Sequence, residues 1–477
     1  MKKIFSIALM GLALASHVYA QNLQASQEMT SKDMNVVSTY LSKGLYMDQG
    51  YLYLVTNAPA GIVLDSRFFK EAEVQRYDSQ GKLLDVAPVE GSKKHAVVAS
   101  SKVGNTIYML IHDGPHKTEN HFYTAAVDVN TMQQVGAPTP VIDDSYGKAD
   151  DIVISHSQSP NGRYTALLTV VIEKKNGVRP AKVVMLDEKM NKLWEKTYSI
   201  RGLSDIKATD QGMAVLVGHS ATSDTKSSVV AYYFDKEDEA MFSQDVKVGP
   251  IGAMRILGVV NDYAVVGGYT EGDRPSCFGL SIDLASGDMS SPDIHYLDEN
   301  DASVLDQKKP NAIGYNISGA ETSFGGALAL QRMMVTIIRS QSGSTTNYNL
   351  HGTLLFGVDT TGRILWHRNV RTDMYESEGT LWMNYRLEGM GDKVLFVQSE
   401  HAKTPDTYVD EPVRTLKLVN GIPETKLAAY VIDTKGSVNK QILGREMDGL
   451  LIKAYNVGDK RMVITTKRKD SVLLSVK

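Results

Sequence analysis

Apolar positions in this chain come in short runs, not at helical spacing. "YLYLVT" (51–56), "TIYMLIH" (106–112), "MAVLVG" (213–218), "YAVVGG" (263–268), "KVLFVQ" (393–398) and "RMVITT" (461–466) are each six or seven residues long. They are rich in Val, Ile, Leu and Tyr and are bounded by polar, Gly-containing turns, which predicts strands. "DIVISHSQSPNGRYTALLTVVIE" (151–173) holds two such runs folded over Ser-Pro-Asn-Gly. No convincing amphipathic helix separates them.

A second pattern sits between these pairs. An apolar or aromatic strand ends in Asp, turns over a short polar stretch and restarts. It recurs at Asp78, Asp128, Asp187, Asp235, Asp283, Asp359 and Asp433, at intervals of 48 to 76 residues. Asp bonds its own backbone two residues on, and Gly or Asn in the turn tolerates a positive φ. Each copy therefore predicts a tight β-hairpin. Four strands per unit, repeated at this period, predict an all-β chain folded as a β-propeller.

Seven units are explicit. The stretch from Asp433 through the C-terminus and from Gln21 to Asp78 is nearly two units long. "LLIKAYNVGDKRMVITTKRKDSVLLSVK" supplies three strands and lacks a fourth, for which "NVVSTYL" (35–41) is the candidate. Eight blades closed by N- and C-terminal strands are therefore favoured. Seven blades with an external N-terminal segment is the alternative. Closure of either kind removes exposed sheet edges.

"VDTTGRILW" and, more weakly, "LDEKMNKLW" resemble the tryptophan motif of quinoprotein-type (PQQ-like) propellers. Trp lies seven residues after Asp in both, at Asp187 to Trp194 and Asp359 to Trp366, and Phe242 holds the same offset from Asp235. The resemblance implies that these three aromatics pack between neighbouring blades. It is a resemblance of fold, and such folds host unrelated functions. The adjacent cysteine pair of the family's alcohol dehydrogenase branch is absent, because Cys277 is the only cysteine. No quinone-site residue carries over, and no cofactor is expected.

The first twenty residues change the picture of location. Lys2-Lys3 precedes an apolar run from Ile4 to Ala15, and Val18-Tyr19-Ala20 fits a cleavage site. This predicts residues 1–20 as a secretory signal peptide, with 21–477 a single exported propeller, periplasmic or extracellular. An uncleaved N-terminal anchor is the alternative. No second run approaches transmembrane length. A formal net charge of −4 suggests neither nucleic acid nor an anionic membrane as partner. One cysteine excludes an internal disulfide and a Cys-based zinc site.

If the strands are lettered A to D outward from the axis, the Asp turns join C to D. The B-to-C connections leave the opposite face. They are read as 112–121, 173–180, 218–228, 269–276, 340–349 and 399–414, and they are longer, polar and all different. Binding residues concentrate on variable loops of rigid scaffolds. The candidates are His112, His116 and His121 in "HDGPHKTENH", His219 in "GHSATSD", Glu271, Asp273 and Arg274 in "YTEGDRPS", and His401. Three histidines with Asp113 and Glu119 offer metal-ligand chemistry, but Gly114-Pro115 argues against the helix that would align them. No metal site is expected there. "DENDASVLD", with Asp298, Asp301 and Asp306, lacks the EF-hand pattern and is expected to be a solvated acidic loop. His219, Ser220, Ser223 and Asp224 are triad residue types without a nucleophile elbow. Residues 290–321 and 399–425 are expected as long inserted loops.

These observations favour a binding or scaffolding module that recognises a protein, peptide or glycan through the B–C face. The alternative is a hydrolase or lyase built at the mouth of the channel. Convergent carboxylates, histidines or arginines from three or more blades, in hydrogen-bond reach at the channel mouth, would favour the enzyme, and a channel lined by small and apolar side chains would favour binding.

Overall fold

A computed structural model describes residues 25–31, 43–59, 69–92, 95–112, 119–145, 151–172, 179–200, 203–223, 226–236, 239–246, 250–271, 274–305, 312–340, 343–376, 385–411, 416–417, 424–443, 451–456, 461–466 and 471–476. They form eight sheets, each built on four main antiparallel strands; seven are meanders, and the eighth joins three C-terminal strands to one from the N-terminal end. The first strands of the sheets are Gly44–Asp48, Ala96–Val103, Asp151–Gln158, Leu203–Ala208, Ile251–Val260, Ala312–Thr322, Tyr385–Met390 and Leu451–Asn456. From sheet 3 to sheet 8, and on to sheets 1 and 2, each of these runs beside its successor, so they are the inner strands. The chain is a β-propeller. The one helix among the described residues is Glu299–Leu305.

Sheets 1 to 7 each lie between two others, and their middle strands are buried on both faces. Every residue of Thr425–Ile432 is buried, as is every residue of Tyr263–Thr270 after the first. That is why they read as unbroken apolar runs. The cores lie between sheets. Leu168, Met185, Leu216 and Phe234 join sheets 3 and 4. Phe356 and Leu328 meet Val265 and Cys277 between sheets 5 and 6.

All seven Asp turns connect third and fourth strands. At Asp78, Asp187, Asp359 and Asp433, Oδ1 accepts the N–H groups two and four residues on, at 2.8–3.0 Å. The residue three on is left-handed: Gly81, Met190, Gly362 and Gly436, with φ of 62–88°. Glycine adopts that conformation freely. Met190 does so while its side chain is wholly buried against sheet 2. Asp128 and Asp283 instead bond two and three residues on, at 2.8–3.1 Å.

A bulge follows the turn in three copies. Met185 pairs with Trp194 but Leu186 pairs with Lys192; Gly357 pairs with Trp366 but Val358 pairs with Ile364. Arg76 and Asp85 repeat the geometry in sheet 1. The extra residue, Leu193 or Leu365, faces solvent, and the Trp is brought to the inter-sheet side. Trp194 Nε1 donates to Gly212 O of sheet 4 at 3.3 Å. A Cβ on Gly436 of sheet 7 would lie 2.6 Å from Trp366 Cβ. Both tryptophans pack between neighbouring sheets, as the resemblance implies. The side chain of Phe242 lies outside the described residues.

Three expectations change. The fourth strand beside Ser471–Val476 is Ala25–Ser31, in antiparallel register from Ala25↔Val476 to Ser31↔Ser471. The proposed 35–41 lies outside the described residues, as do 1–20. The 340–349 stretch is no loop: Gly325–Ser340 and Gly343–Asp359 continue as one long hairpin, because alternating Ser, Thr and Tyr suit a strand as well as a turn. Finally, 290–321 carries the outer strand Asp293–Tyr296, the helix and most of Ala312–Thr322. Its Asp301 is only 1% exposed, not solvated. Within 399–425, Leu416–Lys417 pairs in parallel with Met374 and Tyr375.

Candidate functional site

The inner strands of sheets 3 to 7 bound a cavity of about 650 Å³. Gln158 ends its strand, and Lys207, Glu321 and Gly389 each stand next to last in theirs. The cavity therefore lies toward the end carrying the A–B and C–D turns, opposite the B–C connections. A single period-2 strand delivers alternate side chains to one place. Repetition of that strand around the axis gathers one to three ionisable groups per sheet.

The groups are His156, Asp205, Lys207, Arg255, Glu321, Tyr385, Arg386 and Glu388. Most are partnered across sheets. Asp205 Oδ1 lies 3.0 Å from Arg255 Nη1, and its Oδ2 accepts Ile256 N at 2.9 Å. Glu321 Oε2 accepts Val259 N at 2.9 Å and stands 3.8 Å from Lys207 Nζ. Arg386 pairs with Glu388. Tyr385 donates to Ser318 Oγ at 2.9 Å. The chain joins sheets 4, 5, 6 and 7 through a polar wall.

Burial raises the Asp205 carboxyl above its ordinary range, although Arg255, two backbone N–H groups and Lys207 oppose it. Burial pushes Tyr385 up to about 12, so its phenol is a donor at any physiological pH. His156 falls to about 4, first through loss of solvation and then through the positive charge of Lys43. Its side chain is exposed to the channel yet crowded by protein. Its imidazole is therefore neutral near pH 7. Arg255 and Arg386 retain roughly a third of their side-chain surface, 34% and 39%, so their guanidinium donors face the cavity space.

None of the described residues singled out from the sequence lines this cavity. His112 is buried and its ring packs on Phe122, with centroids 4.7 Å apart. His121 Nδ1 meets Asp143 Oδ1 at 2.5 Å. His116 and Asp273 lie outside the described residues. His219 pairs with Val229 in its sheet. Glu271 N donates to Pro250 O at 2.8 Å. Arg274 stacks over the Tyr296 ring at 4.2 Å. His401 Nδ1 accepts Lys403 N at 3.1 Å. Among the described residues, none of these forms a cluster of three ligand-bearing groups with another. The channel residues escaped a linear scan because each is a lone polar position inside an inner strand. The signal available was a charged residue interrupting an A strand, as at Asp205 and Lys207 in "LSDIKA", repeated in successive units.

No protein-family model matches the chain, and no curated protein matches it. Solved structures resemble it at low identity. The Dos1 propeller is 9% identical with a TM-score of 0.34, over 91% of this chain and 78% of that one. The β-propeller domain of the Trilobed protease from Pyrococcus furiosus is 11% identical with a TM-score of 0.35, over 84% and 95%. A europium-containing methanol dehydrogenase is 11% identical with a TM-score of 0.37, over 93% and 84%. The likeness, including that to quinoprotein-type propellers, is one of fold.

Proposed function

We propose that this chain is an exported β-propeller, eight-bladed and closed by the pairing of 25–31 with 471–476, that works as a binding module. Its ligand is the carboxylate-bearing end of a peptide or an acidic glycan. The observation that carries this reading is that, among charged groups converging from four sheets on one cavity, Arg255 and Lys207 each face a carboxylate that is fixed on backbone N–H groups. Asp205 and Glu321 are committed to backbone N–H groups, which fixes them. They hold Arg255 and Lys207 in place as donors. A guanidinium held in this way recognises a carboxylate through two parallel hydrogen bonds. Of the two ends of the molecule, the cavity favours the turn end over the B–C loop face.

The same convergence supports a second reading, a hydrolase or lyase. A neutral His156 can accept a proton and Tyr385 can donate a hydrogen bond, although their displaced values make them a weak base and a weak acid. The mutual pairing of the carboxylates favours binding, because none is left as a free acid–base partner.

Peptide and glycan arrays probed with the purified protein and with Arg255→Gln/Arg386→Gln test the proposal. Hits bearing carboxylates that weaken at least tenfold in the double variant support it. Hits indifferent to the double variant place binding elsewhere. Mass spectrometry of the hits after incubation, with product formed by wild type and not by His156→Gln, would favour the enzyme.

A further inference from the structure

Away from the channel, two sheets meet at their outer edges around Asp301. His295 lies on the outer strand of sheet 5, and His367 on the outer strand Ile364–Glu376 of sheet 6. Asp301 sits in the first turn of helix Glu299–Leu305, which packs against the strands Gly343–Asp359 and Ile364–Glu376 of sheet 6. His295 Nε2 is 3.4 Å from Asp301 Oδ2, and His367 Nε2 is 3.8 Å from Asp301 Oδ1. The two imidazole rings stand 4.0 Å apart between centroids. All three ligand atoms lie within 4.8 Å of one another.

These separations are long for hydrogen bonds and short for unrelated groups. Two ligands about 2.0–2.1 Å from a tetrahedral zinc ion stand about 3.4 Å apart. The burial is also informative. Asp301 is 1% exposed, whereas His295 and His367 keep 33% and 35% of their side-chain surface. A carboxylate so buried needs a strong compensating partner. Asn369 Nδ2 donates to Asp301 Oδ1 at 2.8 Å, and Asp298 N reaches Oδ2 at 3.3 Å. Neither is a cation. Protonating both imidazoles would set two positive rings against each other. One divalent ion bound by all three neutralises the carboxylate and uses the histidines as neutral ligands. The half-open side leaves an entry path and a fourth position for solvent.

We propose that His295 Nε2, His367 Nε2 and the Asp301 carboxylate form a binding site for a divalent transition metal of the zinc type. The ion staples the outer edge of sheet 5 to that of sheet 6, and Asn369 orients the carboxylate from behind. The site is separate from the histidine loop at 112–121 and from the channel.

Chelator-stripped protein titrated with Zn²⁺, and in parallel with Co²⁺, tests this. Wild type is expected to bind one equivalent of Zn²⁺, to rise in Tm on binding, and to give a Co²⁺ visible spectrum of low-coordinate nitrogen and oxygen ligation. His295→Gln and His367→Gln each weaken binding at least tenfold, and the double variant abolishes both the stoichiometric binding and the Tm rise. Asn369→Ala weakens Zn²⁺ binding by about tenfold without abolishing it. The two half-exposed histidines can be replaced without opening the core, and circular dichroism verifies folding. His112→Gln/His121→Gln retains the full equivalent. Absence of stoichiometric binding by wild type at micromolar Zn²⁺, or an equivalent that survives in His295→Gln/His367→Gln, overturns the proposal.

Discussion

Lys440 Nζ lies 2.9 Å from Glu400 Oε1, and the two side chains are 3% and 2% exposed. Tyr430 donates its hydroxyl to the same carboxylate. Lys440 also donates to the carbonyl of Tyr408, at 2.5 Å. The buried pair thus fastens the 401–411 turn onto sheet 7. Removing one member leaves a buried charge uncompensated, which costs about 3–5 kcal/mol. Lys440→Met is expected to lower stability by that amount. Lys440→Met/Glu400→Gln recovers most of it. Denaturant titration of the three proteins decides; equal losses in single and double variants would mean that the pair is not coupled.

Gly389 carries a different constraint. A Cβ there would lie 1.6 Å from the carbonyl oxygen of Glu321 in the next sheet. That atom is backbone and cannot step aside. Gly389→Ala must push the inner strands of sheets 6 and 7 apart at the channel wall. A loss above about 3 kcal/mol, or failure to fold, is the expected outcome. A variant with wild-type Tm would show that the two strands do not approach so closely.

The two tryptophans share an offset but differ in consequence. Trp366 is 5% exposed and packed among sheet 6 and sheet 7 side chains. Trp194 is half-buried at the edge of its core. Trp366→Ala should cost about 3–5 kcal/mol, as for other buried aromatics. Trp194→Ala should cost less than half of that. Thermal melts of both variants test the ranking, and a reversed order would contradict the packing described.

The contrast between these residues marks what the sequence made legible. Repeats were readable because each Asp turn is a local event: Asp359 bonds Thr361 and Arg363, two and four residues away. The Trp offset is equally local, being set by one hairpin and one bulge. The channel was not readable. Asp205, Arg255, Glu321 and Arg386 come from four separate sheets, and only the ring brings them together. Asp301 misled for the same reason. Beside Asp298 and Asn300 it reads as solvated, yet a helical turn directs it inward to His295 and His367, the latter 66 positions away. The outer strand beside Ser471–Val476 is the polar 25–31, whereas 35–41, with Val36, Val37, Tyr40 and Leu41, reads as the better strand; the pairing is not encoded locally.

Asp359 also predicts an acid sensitivity. Partial burial tends to raise its carboxyl. The Thr361 hydroxyl, the N–H groups of Arg363 and Thr361 and the Arg363 guanidinium outweigh that and hold it below the usual range. A depressed carboxyl contributes stability above the unfolded value near 3.9, and that contribution is lost as pH falls through the lower folded value. Asp359→Ala should cost about 1.5–3 kcal/mol at pH 7, in the range of a lost hydrogen bond to a charged group. Asp359→Asn should cost less, because its amide oxygen still accepts both N–H groups. The gap between wild type and Asp359→Ala should narrow below pH 3; a gap unchanged from pH 7 to pH 2.5 would contradict the role assigned to the charge.

His156 gives a dependence of the same sign in a higher pH window. Its folded value of about 4 lies below the ordinary 6.5 because burial and Lys43 disfavour the imidazolium. Between pH 6.5 and 4 the unfolded chain takes up a proton that the folded chain refuses. Stability therefore declines as pH drops through that window and is level above it. Solvent in the channel screens the effect, so the decline is shallower than the shift alone implies. In His156→Gln the Tm difference between pH 7.5 and pH 5 should be smaller than in wild type, because the refused proton is gone. The ring itself, followed by NMR, should stay neutral at pH 5.5. A titration midpoint near 6.5 would show that the imidazole is solvated as in water and would contradict the crowding by protein described for it.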